Sequence, residues 1–269
     1  MHHFLIGLTH TLGWAGSVFV VLLALAIYLS TVGGTWATRT PGLDVVVSLF
    51  TWAPWVIGGV FGGKSGLVGA VLAEPLVLVV WAFWHEAMHQ QAARGPRIVK
   101  FINRTVGRWQ NHVALWVTAV ALPGFLGIRL IELVCWPPLI WLLKFPKYDQ
   151  TVWINVSRQK FTGLIGHDLI WCLYCDWMTG VYSLGAEMLR NVESFWCPIR
   201  YYDGPKCDKC SVEFPDINGG WVKADGTMAN VEQTMQTFYG EGNRTWFGHE
   251  SRVKLTVKGE AIEGGEAGS

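Results

Sequence analysis

The fold is decided by the first apolar run, residues 4–32, which has the sequence FLIGLTHTLGWAGSVFVVLLALAIYLSTV. The run contains no Asp, Glu, Lys or Arg. About 20 apolar helical residues suffice to cross the roughly 30 Å of hydrocarbon in a bilayer, so we expect a membrane span. The preceding Met1-His2-His3 lacks the positive charge that begins a signal peptide, and we therefore expect the span to be retained.

Two further apolar runs of spanning length follow, at about residues 43–61 and 67–84. Between them, the sequence GGKSG at residues 62–66 predicts a tight loop. Glu74-Pro75 lies inside the third run. We expect Glu74 to face other helices, because a carboxylate is costly against lipid, and Pro75 to kink the helix. Many of the 16 Trp residues lie near the ends of apolar runs, which is typical of the membrane interface.

The next segment, residues 86–111, is rich in positive charge. Its only acidic residue is Glu86, and its basic residues are Arg94, Arg97, Lys100, Arg104 and Arg108. The positive-inside rule predicts that this segment is cytoplasmic, and counting back across three spans places the N-terminus outside. Apolar residues recur in it at helical spacing, so we predict an amphipathic helix on the membrane surface.

The apolar segment 113–143 is interrupted by Pro123-Gly124, by Pro137-Pro138, and by Arg129 with Glu132 three residues later. Basic residues flank both of its ends, so both ends would prefer the cytoplasm. We therefore favour a re-entrant or broken hairpin in which Arg129 and Glu132 pair on one helical face. The alternative is a fourth span, which would place the C-terminal part of the chain outside.

These features predict an all-α polytopic membrane domain over residues 1–143, with three spans plus the re-entrant or fourth segment. A small, soluble, Cys-rich α+β domain follows over residues 144–258. Helical spacing predicts helices at 160–188 and 227–239, alternation predicts a strand at 252–258, and residues 259–269 have the composition of a disordered tail. The net charge is only +1 and no basic face is visible, which argues against a nucleic-acid partner.

Two C-x-x-C pairs stand in the C-terminal part: Cys172 with Cys175, and Cys207 with Cys210. This spacing is typical of a structural zinc site with four thiolate ligands, because a two-residue gap lets both sulfurs of a pair reach one ion. The first pair is predicted to lie one turn apart in a helix, and Cys197 or His167 could replace one of its members. Iron binds similar ligands. Disulfides and inert or redox thiols are the remaining alternatives.

A competing motif is His85-Glu86-Ala87-Met88-His89, a match to H-E-x-x-H. On a helix His85 and His89 stand one turn apart and can bind zinc, while Glu86 can polarise a metal-bound water for peptide hydrolysis. Because it lies where the third apolar helix leaves the membrane, it resembles the motif of membrane-embedded metallopeptidases. Against this, the following Gln90-Gln91 is polar where the peptidase helix is normally apolar, and Glu187 is only a loose candidate for a third ligand. A polar rim at the lipid headgroups is the simpler interpretation.

A third hypothesis is a membrane redox enzyme with a di-metal cluster. Its candidate ligands share one predicted membrane face: His85, His89, His112, His167, Glu86 and Asp168. Desaturase-type hydroxylases, however, carry H-x-x-H-H boxes, and this chain has none.

The function that we favour is non-catalytic. We expect an integral membrane accessory or scaffold subunit whose partners are the lipid bilayer and other membrane-protein subunits, located in a bacterial inner membrane with its C-terminal domain in the cytoplasm. This hypothesis predicts that Glu86→Gln is silent, whereas Cys207→Ser unfolds the C-terminal domain. The peptidase hypothesis predicts instead that Glu86→Gln abolishes activity and leaves the fold intact.

Overall fold

The computed structural model describes residues 2–143, 145, 147–196, 199–200, 222–223, 225–238, 256–257 and 260–261. The described helices are α1 (His2–Val32), α2 (Gly42–Leu49), α3 (Trp52–Met88), α4 (Gln90–Arg94), α5 (Ile98–Val106), α6 (Arg108–Ala119), α7 (Leu122–Val134), α8 (Trp136–Leu143), α9 (Gln150–Trp153), α10 (Gly166–Trp196) and α11 (Met228–Phe238). Short 3-10 helices lie at Trp36–Thr38 and Arg158–Lys160. Strand β1 (Ile199–Arg200) pairs in parallel with β2 (Val222–Lys223), and β3 (Thr256–Val257) pairs antiparallel with β4 (Glu260–Ala261).

Three helical stretches in the described part of the chain are long and apolar enough to cross a membrane: Leu5–Val32, Trp52–Met88 and Arg108–Leu143. In the most apolar windows of the first and third, only 6% of the residues are buried inside the protein. Many of their exposed side chains are large and apolar, which fits a lipid environment. The prediction of a mostly helical chain with apolar helices of membrane-spanning length is confirmed.

The Ser and Thr hydroxyl groups of helix α1 form hydrogen bonds within the helix itself. Five hydroxyl groups donate hydrogen bonds to carbonyl oxygens three or four residues earlier in the helix, from Thr9, Thr11, Ser17, Ser30 and Thr31. No water is present in a bilayer core to take over these bonds, so an internal partner is the arrangement that lets hydroxyls lie in a span.

Helix α3 reverses direction at Gly63, which has φ 58° and ψ −144°. In a straight helix Gly58 and Gly66 would be about 12 Å apart. Here a Cβ placed on Gly58 would lie 2.5 Å from the carbonyl oxygen of Gly66, so the two arms of α3 pass in direct backbone contact. The turn predicted at residues 62–66 is confirmed. Pro75 lies inside the second arm of α3 with helical backbone angles, and the kink predicted there stays a prediction.

The second arm of α3 packs against α1 in a parallel orientation. Near one end, a Cβ on Gly69 would meet the carbonyl oxygen of Thr11 and the side chain of Trp14 at 2.8 Å. Near the other end, the Trp81 indole donates a 3.2 Å hydrogen bond to the hydroxyl of Ser30. Because residue numbers rise together along both helices, α1 and this arm end on the same side. The second predicted span, residues 43–61, is not one continuous helix, because α2 ends at Leu49 and the first arm of α3 begins at Trp52.

The basic segment and the apolar segment after it are each divided into short helices. The predicted amphipathic region contains α4, α5 and the start of α6, separated at Gly95-Pro96 and at Gly107, which has φ 99°. The later segment contains the end of α6, then α7 and α8, and its two breaks fall just before Pro123 and Pro137, as predicted. Pro123 and Pro137 lie in the first turns of these helices, where the missing N–H has no intrahelical partner to lose.

Two compact units make up the chain: Met1–Leu122 with Gln150–Gly180, and Pro123–Asp149 with Val181–Ser269. We call these unit one and unit two. Within unit one, the N–H of Val156 donates to the carbonyl of Thr38 at 2.8 Å, and Ile154 is fully buried. A Cβ on Gly180 would lie 2.5 Å from the carbonyl oxygen of Trp153, so α10 passes directly over this segment.

Helix α10 begins later and ends later than predicted. We expected a helix over residues 160–188, whereas the structure has a 3-10 turn at Arg158–Lys160 and starts α10 at Gly166. Gly163 and Gly166 have positive φ angles, which stop the helix from extending backwards. Helix α11 confirms the prediction at residues 227–239. Of the strand predicted at 252–258, only Thr256–Val257 belongs to the described residues, and there it is β3.

Candidate functional site

The site with the densest buried polar chemistry in unit one is built around Arg97. Its Nε donates to Asp168 Oδ2 at 2.6 Å, and its NH2 donates to Glu86 Oε1 at 2.7 Å. The side chains of Arg97 and Asp168 are 3% and 4% exposed, and that of Glu86 is 26% exposed. We call Glu86, Arg97 and Asp168 the ion triad. It joins the end of α3, the start of α5 and the start of α10.

Each carboxylate of the ion triad also caps a helix to which it does not belong. The Asp168 Oδ1, from α10, accepts the backbone N–H of Val99 in the first turn of α5 at 3.0 Å. The Glu86 Oε1, from α3, accepts the backbone N–H of His167 in the first turn of α10 at 3.1 Å. First-turn N–H groups lack intrahelical acceptors, and the helix dipole favours negative charge there. The triad therefore fixes two helix N-termini at once.

The electrostatics of the site favour the fully ionised state. Burial opposes ionisation of Asp168, but His167 and the charge and hydrogen bond of Arg97 outweigh it and lower the pKa of Asp168. Burial likewise opposes the charge of Arg97, and its bonds to Glu86 and Asp168 outweigh this and raise the pKa of Arg97. Two carboxylates and one guanidinium leave the triad with one negative charge.

The same contacts engage the H-E-x-x-H motif. The backbone N–H of Gly166 donates to His85 Nδ1 at 3.2 Å, so that nitrogen is an acceptor and the proton of the neutral ring lies on Nε2. A zinc-binding histidine typically donates from one ring nitrogen and binds the metal with the other. His89 Nδ1 lies 2.9 Å from the carbonyl of His85, and the two rings are stacked with centroids 4.3 Å apart. His85 and Glu86 of this motif therefore both contact the backbone at the start of α10.

The histidines proposed for a di-metal cluster do gather in unit one. His112 and His167 form an edge-to-face pair with centroids 5.2 Å apart, and the backbone of His167 contacts Glu86. Between Glu86 and Asp168, however, lies the Arg97 guanidinium. Within the described ranges, no three His, Cys, Asp or Glu side chains come together as a group that could hold a metal ion.

The predicted thiolate site is only partly within the described chain. Cys172 is half-buried and Cys175 is exposed, both on α10, and both are free thiols. Burial raises the pKa of Cys172, although the nearby Arg158 opposes this. The other predicted ligands, Cys197, Cys207 and Cys210, lie outside the described residues. The zinc site remains a prediction.

Unit two contains a second set of buried charges. The Arg129 NH1 donates to Glu132 Oε2 at 2.7 Å within α7, which confirms the predicted pairing on one helical face. On the later half of α10, Glu187 accepts from the hydroxyl of Tyr148 at 3.3 Å and from Arg190 at 3.1 Å. Glu187, the loose candidate for a third peptidase ligand, is thus bound by neighbours in its own unit.

Glu74 lies in α3 as expected, half-buried beside Trp55. Its Oε1 atom is buried and has no hydrogen-bond partner in the described part of the chain. The sequence singled out this residue, but it did not single out Arg97, which appeared only as one of several positive charges. The available sequence signal for Arg97 is its place after Gly95-Pro96 and directly before a helix. This signal does not show which distant residues Arg97 contacts.

A cavity of about 840 Å³ lies beside the ion triad in unit one. Residues from the end of α4 and the start of α5 form one side, and residues from the segment before α10 form the other.

Comparisons with known proteins identify no relative, because no protein-family model, no curated protein and no solved structure matches this chain.

Proposed function

We propose that this chain is a non-catalytic accessory or scaffold subunit of a larger membrane assembly. The observation that carries the proposal is the use of Glu86 as a cap for α10 and a partner of Arg97. A general base must be free to take a proton from a metal-bound water, whereas this carboxylate accepts two hydrogen bonds from its own protein. These two bonds support a structural rather than a catalytic use of the H-E-x-x-H motif.

The C-terminal part of the chain supplies the second element of the proposal. We propose that Cys172, Cys175, Cys207 and Cys210, with Cys197 or His167 as a substitute, hold one structural zinc or iron ion. A metal would stabilise a segment that has few long apolar runs. Such a metal-stabilised domain would present a defined surface to partner subunits.

We also propose an orientation. Helix α1 and the second arm of α3 end on the same side, and the basic residues of α4, α5 and α6 follow directly. By the positive-inside rule that side is the cytoplasm, which places the N-terminus outside. The side of the C-terminal domain depends on whether Arg108–Leu143 crosses the membrane. If this segment is the re-entrant or broken hairpin that we favour, the C-terminal domain is cytoplasmic.

The experiment that tests this function is elemental analysis of the detergent-purified full-length chain. Three samples are compared: the wild type, Cys207→Ser with Cys210→Ser, and His85→Ala with His89→Ala. We expect about one zinc or iron ion per chain in the wild type and in the histidine variant. We expect none in the cysteine variant.

The opposite outcome would contradict the proposal. Loss of metal from the histidine variant alone would indicate a zincin-like or di-metal centre at the end of α3. A second readout is the size of the native assembly in mild detergent. The cysteine variant should elute as a smaller particle, while Lys64→Ala, at the exposed α3 turn, should leave the size unchanged.

A further inference from the structure

The cavity beside the ion triad has walls of two kinds. Its lining includes the apolar side chains of Ile98, Phe161 and Leu164 and the basic side chains of Arg158 and Lys160. Its volume of about 840 Å³ lies within the range of sites for small organic ligands. We propose that this cavity binds an anionic phospholipid, with the phosphate at Lys160 and Arg158 and the first part of an acyl chain against the apolar wall.

The charge available to a ligand comes from these two residues rather than from Arg97. The Arg97 guanidinium is more than balanced by Glu86 and Asp168, so it does not attract a further anion. The Lys160 ammonium has no hydrogen bond or ion pair within the residues that the structure describes. The Arg158 side chain is 45% exposed, and its distance of 3.6 Å from Asp176 is long for an ion pair. Part of its charge therefore remains available to a ligand.

Hydroxyl groups add hydrogen-bond donors to the same wall. Ser157 and Thr162 line the cavity together with the two basic residues. The 3-10 turn at Arg158–Lys160 is closed by a hydrogen bond from the N–H of Lys160 to the carbonyl of Ser157. A phosphate with oxygens on several sides matches such a group of donors.

The surroundings favour a lipid over a soluble phosphate. Helix α5 begins at the cavity with Ile98, and the apolar side chains that follow are exposed: Phe101, Val106 and Trp109. The same stretch carries Lys100, Arg104 and Arg108. Exposed apolar and basic side chains on one short helical stretch are typical of segments that lie on an anionic membrane surface. A soluble phosphate would gain nothing from the apolar wall.

The test is lipid binding to the full-length chain in neutral detergent, measured by native mass spectrometry and by the shift of the thermal unfolding midpoint. The probes are phosphatidylglycerol, phosphatidylcholine and inorganic phosphate. The variant is Lys160→Glu, and the matched control is Lys64→Glu, a charge reversal at the exposed α3 turn, which does not line the cavity.

We expect phosphatidylglycerol to bind the wild type and the Lys64 control equally. Lys160→Glu should bind it at least about fivefold more weakly, the factor that corresponds to about 1 kcal/mol per basic residue near an anionic surface. Its midpoint without lipid should equal that of the wild type. Equal binding of phosphatidylcholine, or retained binding by Lys160→Glu, would overturn the proposal. Full displacement of phosphatidylglycerol by inorganic phosphate would show that the site recognises phosphate alone, and it would overturn the proposal of a lipid ligand.

Discussion

Arg97 in unit one and Arg129 in unit two are both buried, and each forms a 2.7 Å bond to a glutamate. Their partners differ in position along the chain. Arg129 pairs with Glu132 three residues later in the same helix, whereas Arg97 pairs with residues 11 and 71 positions away. The Arg129–Glu132 bond lies within one helix, α7. The ion triad joins three separate helices.

This difference determines what each arginine can do for the fold. A pair within one helix can form before any tertiary structure exists. The ion triad can form only when α3, α5 and α10 have already met, so it stabilises their arrangement and fixes two helix N-termini. The predictions below follow from this contrast.

The largest effect is expected from Arg97→Met. Removing the guanidinium leaves two carboxylates close together without a counter-charge, and breaking a buried pair in this way typically costs about 3–5 kcal/mol. The thermal unfolding midpoint in detergent measures the loss. An unchanged midpoint would mean that the triad does not hold these helices together.

Gly166→Ala should be the next most destabilising change, by about 2–3 kcal/mol. Gly166 has φ +50°, and an added Cβ would overlap the Glu86 side chain. Gly163→Ala is the matched control, because Gly163 also has a positive φ but has open space around it. The difference in unfolding free energy between the two variants isolates the contact of residue 166 with Glu86. This difference should disappear when both variants are made in a Glu86→Ala background.

Glu86→Gln should cost about 1–2 kcal/mol, because the amide oxygen still accepts from His167 while the charge that Arg97 pairs with is lost. This revises the expectation from sequence that the change is silent. Hydrogen exchange at the first turn of α10 should quicken in this variant. Glu232→Gln, on the exposed face of α11, should change neither quantity.

Asp168 predicts a specific dependence on pH. Its folded-state pKa lies below the unfolded value of about 3.9, so ionised Asp168 stabilises the fold above that pH. The stabilisation is lost as the pH falls through the folded pKa. The difference in unfolding midpoint between the wild type and Asp168→Asn should therefore be constant from about pH 8 to 5 and shrink below about pH 4. A difference that grows on acidification would contradict the assigned sign.

The smallest effect is expected from the local pair. Replacing Arg129 and Glu132 together by Met and Leu should change the unfolding free energy by less than about 1 kcal/mol, because apolar residues of similar volume often replace a buried pair without loss. The same midpoint measurement checks this. A loss of several kcal/mol would mean that Arg129 and Glu132 also hold the fold together.

The sequence predicts the local features well for physical reasons. The reversal at Gly63 follows from a glycine-rich stretch between two apolar runs, and the Arg129–Glu132 pair follows from helical spacing. The start of α10 was misplaced by six residues, because the apolar spacing continues across Phe161 and Leu164 while the positive φ of Gly166 does not show in that pattern. The triad could not be predicted, since nothing local links residue 97 to residue 168.

The most direct test of the account is a double-mutant cycle between Glu86 and Arg97. The unfolding free energies of the wild type, Glu86→Gln, Arg97→Met and the double variant are compared under one detergent condition. If Glu86 acts by binding Arg97, the two single losses should exceed the loss of the double variant by at least about 1 kcal/mol. Additive losses would contradict the pairing of Glu86 with Arg97 and return the H-E-x-x-H motif to consideration as a metal site.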